Sequence, residues 1–167
     1  MSIIKNEVRL KQHWIVECFD TQGNLKWKEG FENLVVTAGR DKYLDATLKT
    51  GLTTPLWYVG LKGTGAIVAG DIMSSHAGWA ELTPYSNATR PQWTPGAIAS
   101  GSVDNSAAKA VFNINATSTI FGAFMADNST KGGTTGTLLG GADFAASRAV
   151  ASGDTLNVQV TCSLTST

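Results

Sequence analysis

Residues Thr155–Leu164 constrain the fold most tightly, because Leu156, Val158, Val160, Cys162 and Leu164 alternate without a break with Asn157, Gln159, Thr161 and Ser163. A period of two puts the apolar set on one side of an extended chain and the polar set on the other, so this segment is a β-strand with one face in a core. Near the other end, Trp14-Ile15-Val16-Glu17-Cys18-Phe19-Asp20 and Asn24-Leu25-Lys26-Trp27-Lys28-Glu29 flank Thr21-Gln22-Gly23 at hairpin spacing, with Gly23 free to take a positive φ. Leu56-Trp57-Tyr58-Val59-Gly60-Leu61 is apolar on both sides, as a strand in the middle of a sheet is.

Only Thr37 to Lys49 carries a helical signature: Thr37 stands where a cap belongs, Tyr43, Leu44 and Leu48 share a face, and Gly51 can end the turn. Gly63 to Gly70 reads as a turn region, and Pro84, Pro91 and Pro95 make Leu82 to Gly96 a long irregular connection. Strands follow at Ala107 to Asn115, Thr119 to Ala126 and Leu138 to Val150, the last in one or two pieces. The expected fold is mainly β: an antiparallel β-sandwich of jelly-roll or Greek-key connectivity with one short α-helix near residues 37–49. A length of 167 residues suits one domain over 1–167, with 1–13 expected to form a flexible N-terminal arm. Ile120-Phe121-Gly122-Ala123-Phe124-Met125 is apolar on both faces, so either the helix or a subunit contact must cover its outer side.

Thirteen basic residues balance thirteen acidic ones, which excludes nucleic acid or an anionic membrane as a partner drawn by bulk charge. No run reaches the ~18 apolar residues of a membrane span, and the start lacks a hydrophobic core of signal length, so a chain made in the cytosol is expected. Sixteen of the twenty-six charged residues lie in the first 62 positions, leaving the remainder rich in Gly, Ala, Ser and Thr. A weakly charged surface suits a protein covered by neighbouring subunits. Cys18 and Cys162 are far apart in strand-like runs and read as buried free thiols, although a bond between them would tie the chain ends together.

Asp71-Ile72-Met73-Ser74-Ser75-His76-Ala77-Gly78-Trp79-Ala80-Glu81 gathers the residue types of an acyl-transfer triad into one turn. Triad members come from separate elements that converge on a point, and no Gly-x-Ser-x-Gly elbow is present, so a hydrolase built on Ser74, Ser75 and His76 is the least favoured reading. The expectation is no catalytic residue; Asp71 or Ser74 should cap the turn, His76 should bond to backbone and Trp79 should anchor the turn to the core. His13 and His76 with Asp71 or Glu81 lack the spacing of a metal site, Glu17 and Glu29 read as two exposed strand positions rather than a glycosidase pair, and Gly60 to Gly65 and Gly132 to Gly136 lack the ends of a phosphate loop. No metal and no cofactor is therefore expected. Trp14, Trp27, Trp57 and Trp79 belong to core segments, which leaves Trp93, in Arg90-Pro91-Gln92-Trp93-Thr94-Pro95, as the anchor for an intermolecular contact. Arg90, Phe121, Met125, Lys5, Arg9 and Lys11 complete the set of expected contact residues.

Glu32-Asn33-Leu34-Val35-Val36-Thr37-Ala38-Gly39-Arg40-Asp41-Lys42-Tyr43-Leu44-Asp45, Leu56 to Leu61 and Gly70 to Glu81, followed by Ile120 to Phe124 and Gly153-Asp154-Thr155-Leu156-Asn157-Val158, resemble a family of tailed-bacteriophage virion proteins over residue 30 to the end. Ile72 and Ala80 replace threonines of that pattern. The resemblance is to capsid decoration, or cement, proteins, with related modules among tail and tail-fibre components. It implies a non-enzymatic protein on the capsid surface of the virion, bound to the major capsid protein and to itself as a homo-oligomer, a trimer favoured over a dimer. In that setting the segment before Trp14, with Lys5, Arg9 and Lys11, would order on the capsid.

Overall fold

The structure, a computed structural model, describes residues 7–49 and 55–166. Eleven strands among the described residues build two antiparallel sheets. In chain order these are β1 (Val8–Phe19), β2 (Leu25–Glu32), β3 (Leu34–Val35), β4 (Trp57–Lys62), β5 (Glu81–Leu82), β6 (Gln92–Trp93), β7 (Ser102–Asp104), β8 (Ala110–Asn113), β9 (Ser118–Ala126), β10 (Leu138–Val150) and β11 (Thr155–Ser166). One sheet runs β2-β1-β11, with β7 and β8 both pairing β11; the other runs β3-β10-β9-β4, with β5 and β6 both pairing β4. The fold is thus an antiparallel β-sandwich with one short helix, α1 (Thr37–Leu44), continued by a wider turn over Asp45–Lys49.

The alternation that marks β11 works as expected: Leu156, Val158 and Val160 are fully buried, and β1 presents Trp14, Val16 and Cys18 to the same core. The two strands pair along their whole length, from Val8 opposite Ser166 to Phe19 opposite Thr155. The expected N-terminal arm is therefore corrected from residue 8 onward. Val8 to His13 hydrogen-bond to β11 through the backbone groups that face it, which an arm cannot do. Lys5, and Gly51 as the expected helix stop, lie outside the described residues.

The turn from β1 to β2 follows from Asp20, whose Oδ1 accepts the backbone N–H of Gln22 and Asn24 at 2.9 and 2.8 Å while Gly23 sits at φ 83°. Cys18 faces Leu156 and Cys162 faces Gln12, six ladder positions apart. At about 3.3 Å per residue that is roughly 20 Å, far beyond disulfide reach, and both thiols are free.

Two apolar clusters hold the molecule together. One fills the space between the sheets around Trp14, Val59, Leu61, Phe112, Ile120, Met125 and Leu156. The other lies outside the second sheet, where Phe124, Ala126 and Leu138 meet Ile67, Met73 and Trp79 from the 63–80 connection and Val36 at the start of α1. The outer side of β9 is therefore covered from within the chain, chiefly by that connection; the helix contributes only its first residues.

The helix departs from expectation in two ways. Val36, not Thr37, is the capping position, and its hydrocarbon side chain can make no cap; its own N–H donates to the Leu139 carbonyl at 3.1 Å, and α1 follows directly on β3. Leu44 and Leu48 are 51% and 80% exposed, so their shared face is not the buried one. Instead α1 rests on β10 through Gly39, where a Cβ would run into the Leu139 backbone. No helix among the described residues is long and apolar enough to cross a membrane.

Candidate functional site

The Asp71–Glu81 segment is the lid over the outer face of the second sheet, and its Asp71 and His76 side chains bond within the segment or to nearby backbone. Asp71, 8% exposed, accepts the Val68 N–H at 3.0 Å and the Trp79 indole N–H at 2.9 Å, both on Oδ2. His76 places Nδ1 3.0 Å from the Trp79 carbonyl and stacks its ring on the Trp79 indole, with centroids 4.1 Å apart. Trp79 in turn tilts against Phe124 at 5.0 Å. Ser74 and Ser75 are exposed, and Ser75 bridges to Ile72 by backbone alone. The serines and the imidazole are brought close in sequence but not into a nucleophile–base pair. The segment's order is Asp71 holding Trp79, and Trp79 holding His76.

Glu81, where the lid rejoins the sheet, makes a buried two-point ion pair. Arg90 donates Nε to Oε1 at 2.9 Å and Nη2 to Oε2 at 2.7 Å, with both side chains out of solvent. The same guanidinium donates to the carbonyls of Asn128 and Gly133, each at 2.8 Å, and lies 5.2 Å from the Phe124 ring centre. A guanidinium buried this way has its charge paired and its donors used, which is how such burial is tolerated. Lys131 adds a second tie, donating to the carbonyls of Tyr85 and Asn87 at 2.9 Å while lying over the Tyr85 ring. Burial, then the charge of Glu81, raises the Tyr85 hydroxyl above its ordinary pKa. The node therefore fastens the proline-rich connection to the loop between β9 and β10.

The residues expected to meet a partner divide sharply. Trp93 is 7% exposed and donates its indole N–H to the Val160 carbonyl at 3.0 Å, across the gap between the sheets. Its place is set by β6 pairing β4 and by the Pro91 carbonyl accepting the Val59 N–H, so the prolines brace the loop inward rather than outward. Arg90 and Met125 are fully buried, and Phe121 is half-buried. As exposed anchors, Trp93, Arg90 and Met125 are corrected to interior residues of this chain. Arg9 and Lys11 are exposed, on the outward-facing positions of β1.

Three polar sites escaped the reading of the sequence. Lys62 is fully buried, donating to the Gly63 and Gly65 carbonyls and paired with Asp143. Asp154 accepts the Ala151 N–H at 2.8 Å and pairs with Lys26, and the Cys18 thiol lies 3.6 Å away. Burial raises the Asp154 carboxyl, but those donors outweigh it and the net pKa is lowered; burial first, then the Asp154 charge, pushes the Cys18 thiol up to about 12. Glu29 is corrected from an exposed strand position to a buried one, 5% exposed, where it pairs with Arg148 of β10; nearby the Trp27 indole N–H donates to the Ala149 carbonyl at 3.0 Å. A cationic residue inside a strand, such as Lys62 after an apolar run, was the available signal. Among the described residues no group of three His, Cys, Asp or Glu is placed to hold a metal. No protein-family model matches the chain, and no curated protein matches it.

Proposed function

We propose that this chain is a non-enzymatic structural protein of a tailed-bacteriophage virion, a decoration protein that binds the capsid exterior and stabilises the head. The observation that carries the reading is that the segment most like that family, Gly70 to Glu81, is a packing device: Asp71, His76 and Glu81 are spent on Trp79 and Arg90. A turn built this way gives rigidity rather than a reactive group. The β-sandwich and the balanced, sparse charge agree with a protein that works by contact.

The mechanism is mass action. A subunit that binds the assembled shell more tightly than its precursor shifts the equilibrium toward that shell by its differential affinity, and many copies multiply a modest gain. Self-association, as a trimer ahead of a dimer, would match the symmetry of such a surface. The test is sedimentation of virions that carry the chain, followed by heating of heads with and without it. Co-sedimentation with heads, together with earlier bursting of heads that lack it, is the expected result. Recovery on the tail at low copy number would assign it instead to a tail or tail-fibre module, and heads of unchanged stability would overturn the cementing role.

A further inference from the structure

The two sheets part company at one corner and leave a groove with an open strand edge on each side. β1 has β2 beside it only from His13, opposite Glu32, onward; Val8 to Lys11 pair with β11 on the other side and, among the described residues, carry no strand on this one. The chain leaves β2 at Asn33 and enters the second sheet as β3, which among the described residues pairs only with β10. Between these edges lies a cavity of about 350 Å³, within the range of built ligand sites. Its lining includes Val8, Leu10 and Leu34 with Arg9, Lys11 and Arg40.

We propose that this groove takes an acidic, extended segment of a partner protein, added as a strand to β1 where β2 has turned away. Unpaired backbone edges recruit extended chains, and side-chain alternation then dictates sequence. On β1 the even positions face inward, as buried Gln12 and Trp14 show, so Leu10 borders the inner side of an incoming strand. Arg9 and Lys11 border its outer side. The incoming strand therefore alternates apolar residues, against Leu10 and Leu34, with acids against the cations. Charge favours that occupant: three cations line the groove, Arg9 shares one with Glu7 at 2.7 Å, and Lys11 and Arg40 have no ion-pair partner among the described residues. The inference concerns the groove itself and holds whether the partner sits on a head or a tail.

The test uses the full chain, isotopically labelled, titrated with a capped heptapeptide alternating glutamate and valine and with its counterpart alternating lysine and valine. Saturable amide shifts confined to Val8–Lys11 and Asn33–Val35 with the glutamate peptide alone are the expected result. The Arg9→Glu/Lys11→Glu variant, with the rest of its spectrum unchanged, should lose about tenfold in affinity. No saturable shift at those residues, equal binding of the lysine peptide, or undiminished binding after charge reversal would overturn the proposal. So would a tighter grip on the peptide after deletion of residues 1–6, which would make the chain's own N-terminus the occupant, or self-association abolished by the charge reversal, which would make it a second copy.

Discussion

Arg90 and Glu81 form a two-point ion pair inside the molecule, at 2.9 and 2.7 Å, with no exposed area on the arginine side chain. The pair joins the end of the lid to the proline-rich connection, and through the Asn128 and Gly133 carbonyls to the loop before β10. Removing either partner leaves the other as a buried charge without its counterion. Glu81→Ala or Arg90→Ala should each cost about 3–5 kcal/mol, whereas an apolar pair of similar volume, Glu81→Leu with Arg90→Met, should cost markedly less than the sum of the single changes. Urea unfolding of the four proteins checks this, and additive losses would show that the pair contributes nothing as a unit.

Gly39 sets two effects of opposite sign against each other. Alanine in a helix is worth about 1 kcal/mol over glycine, yet a Cβ at this position meets the Leu139 carbonyl and Cα. Backbone on a sheet cannot step aside as a side-chain tip can, so the clash should win. Gly39→Ala is expected to lower stability by about 1–3 kcal/mol, measured as a fall in Tm; a rise would mean α1 can lift off β10 freely.

The acid limit of stability should be set by Asp154 and Glu17. Asp154 lies below its ordinary pKa because the Ala151 N–H and Lys26 outweigh its burial, and Glu17 because Lys109 and then Lys28 bond it. A lowered folded pKa means the unfolded chain binds more protons. The contribution is therefore complete above the ordinary carboxylate range, near pH 4, and is lost as pH falls below it. Urea midpoints should be flat from about pH 5 to 8 and drop below about pH 4. Asp154→Asn should flatten part of that drop while lowering the plateau.

The alkaline limit runs the other way. Burial raises both Cys18, to about 12, and Cys162, so the folded chain holds protons that the unfolded chain releases. Stability is full below the ordinary thiol range, near pH 8.5, and declines as pH rises toward the folded values. In Cys18→Ala/Cys162→Ala the decline should begin only above about pH 10, where Lys26, raised chiefly by its bond to Asp154, and Tyr85 take over. An onset that stays near pH 8.5 in the double variant would remove the thiols from the account.

The strands that build the core were legible because alternation is a local property: Leu156 to Val160 and Trp14 to Cys18 report their own burial, although the same alternation runs on to Cys162, half-buried, and Leu164, 37% exposed. β3, β5 and β6 have two residues each, too few for any period, and they exist only because β10 and β4 offer edges. Arg90 and Trp93 were misplaced for a related reason. A polar, proline-rich connection reads as surface, and nothing in its own residues announces a carboxylate nine positions away or a carbonyl on β11. The Asp71–Glu81 turn was better served, since Trp79 and His76 find partners within the segment; that Asp71 holds the indole needed the structure. The groove beside Val8 to Lys11 depends on where β2 leaves its sheet, which is a matter of topology and not of pattern.

The lid gives a ranking of substitutions that separates a packing turn from a reactive one. Asp71→Ala strips the acceptor from both the Val68 N–H and the Trp79 indole N–H, the latter on a side chain only 6% exposed. Leaving such a donor unpaired should cost about 1–3 kcal/mol. His76→Ala loses a stacked ring and a contact to the Trp79 carbonyl, for about 1 kcal/mol. Ser74→Ala and Ser75→Ala touch exposed side chains and should fall within about 0.5 kcal/mol. Trp79→Phe keeps the ring but removes the donor, so Asp71→Ala should cost less in that background than in the native one. Thermal unfolding of the set tests the order Asp71 first, His76 second, serines last. A reactive turn would invert it: the serines and His76 would matter to an assayed activity while Asp71→Ala left stability untouched.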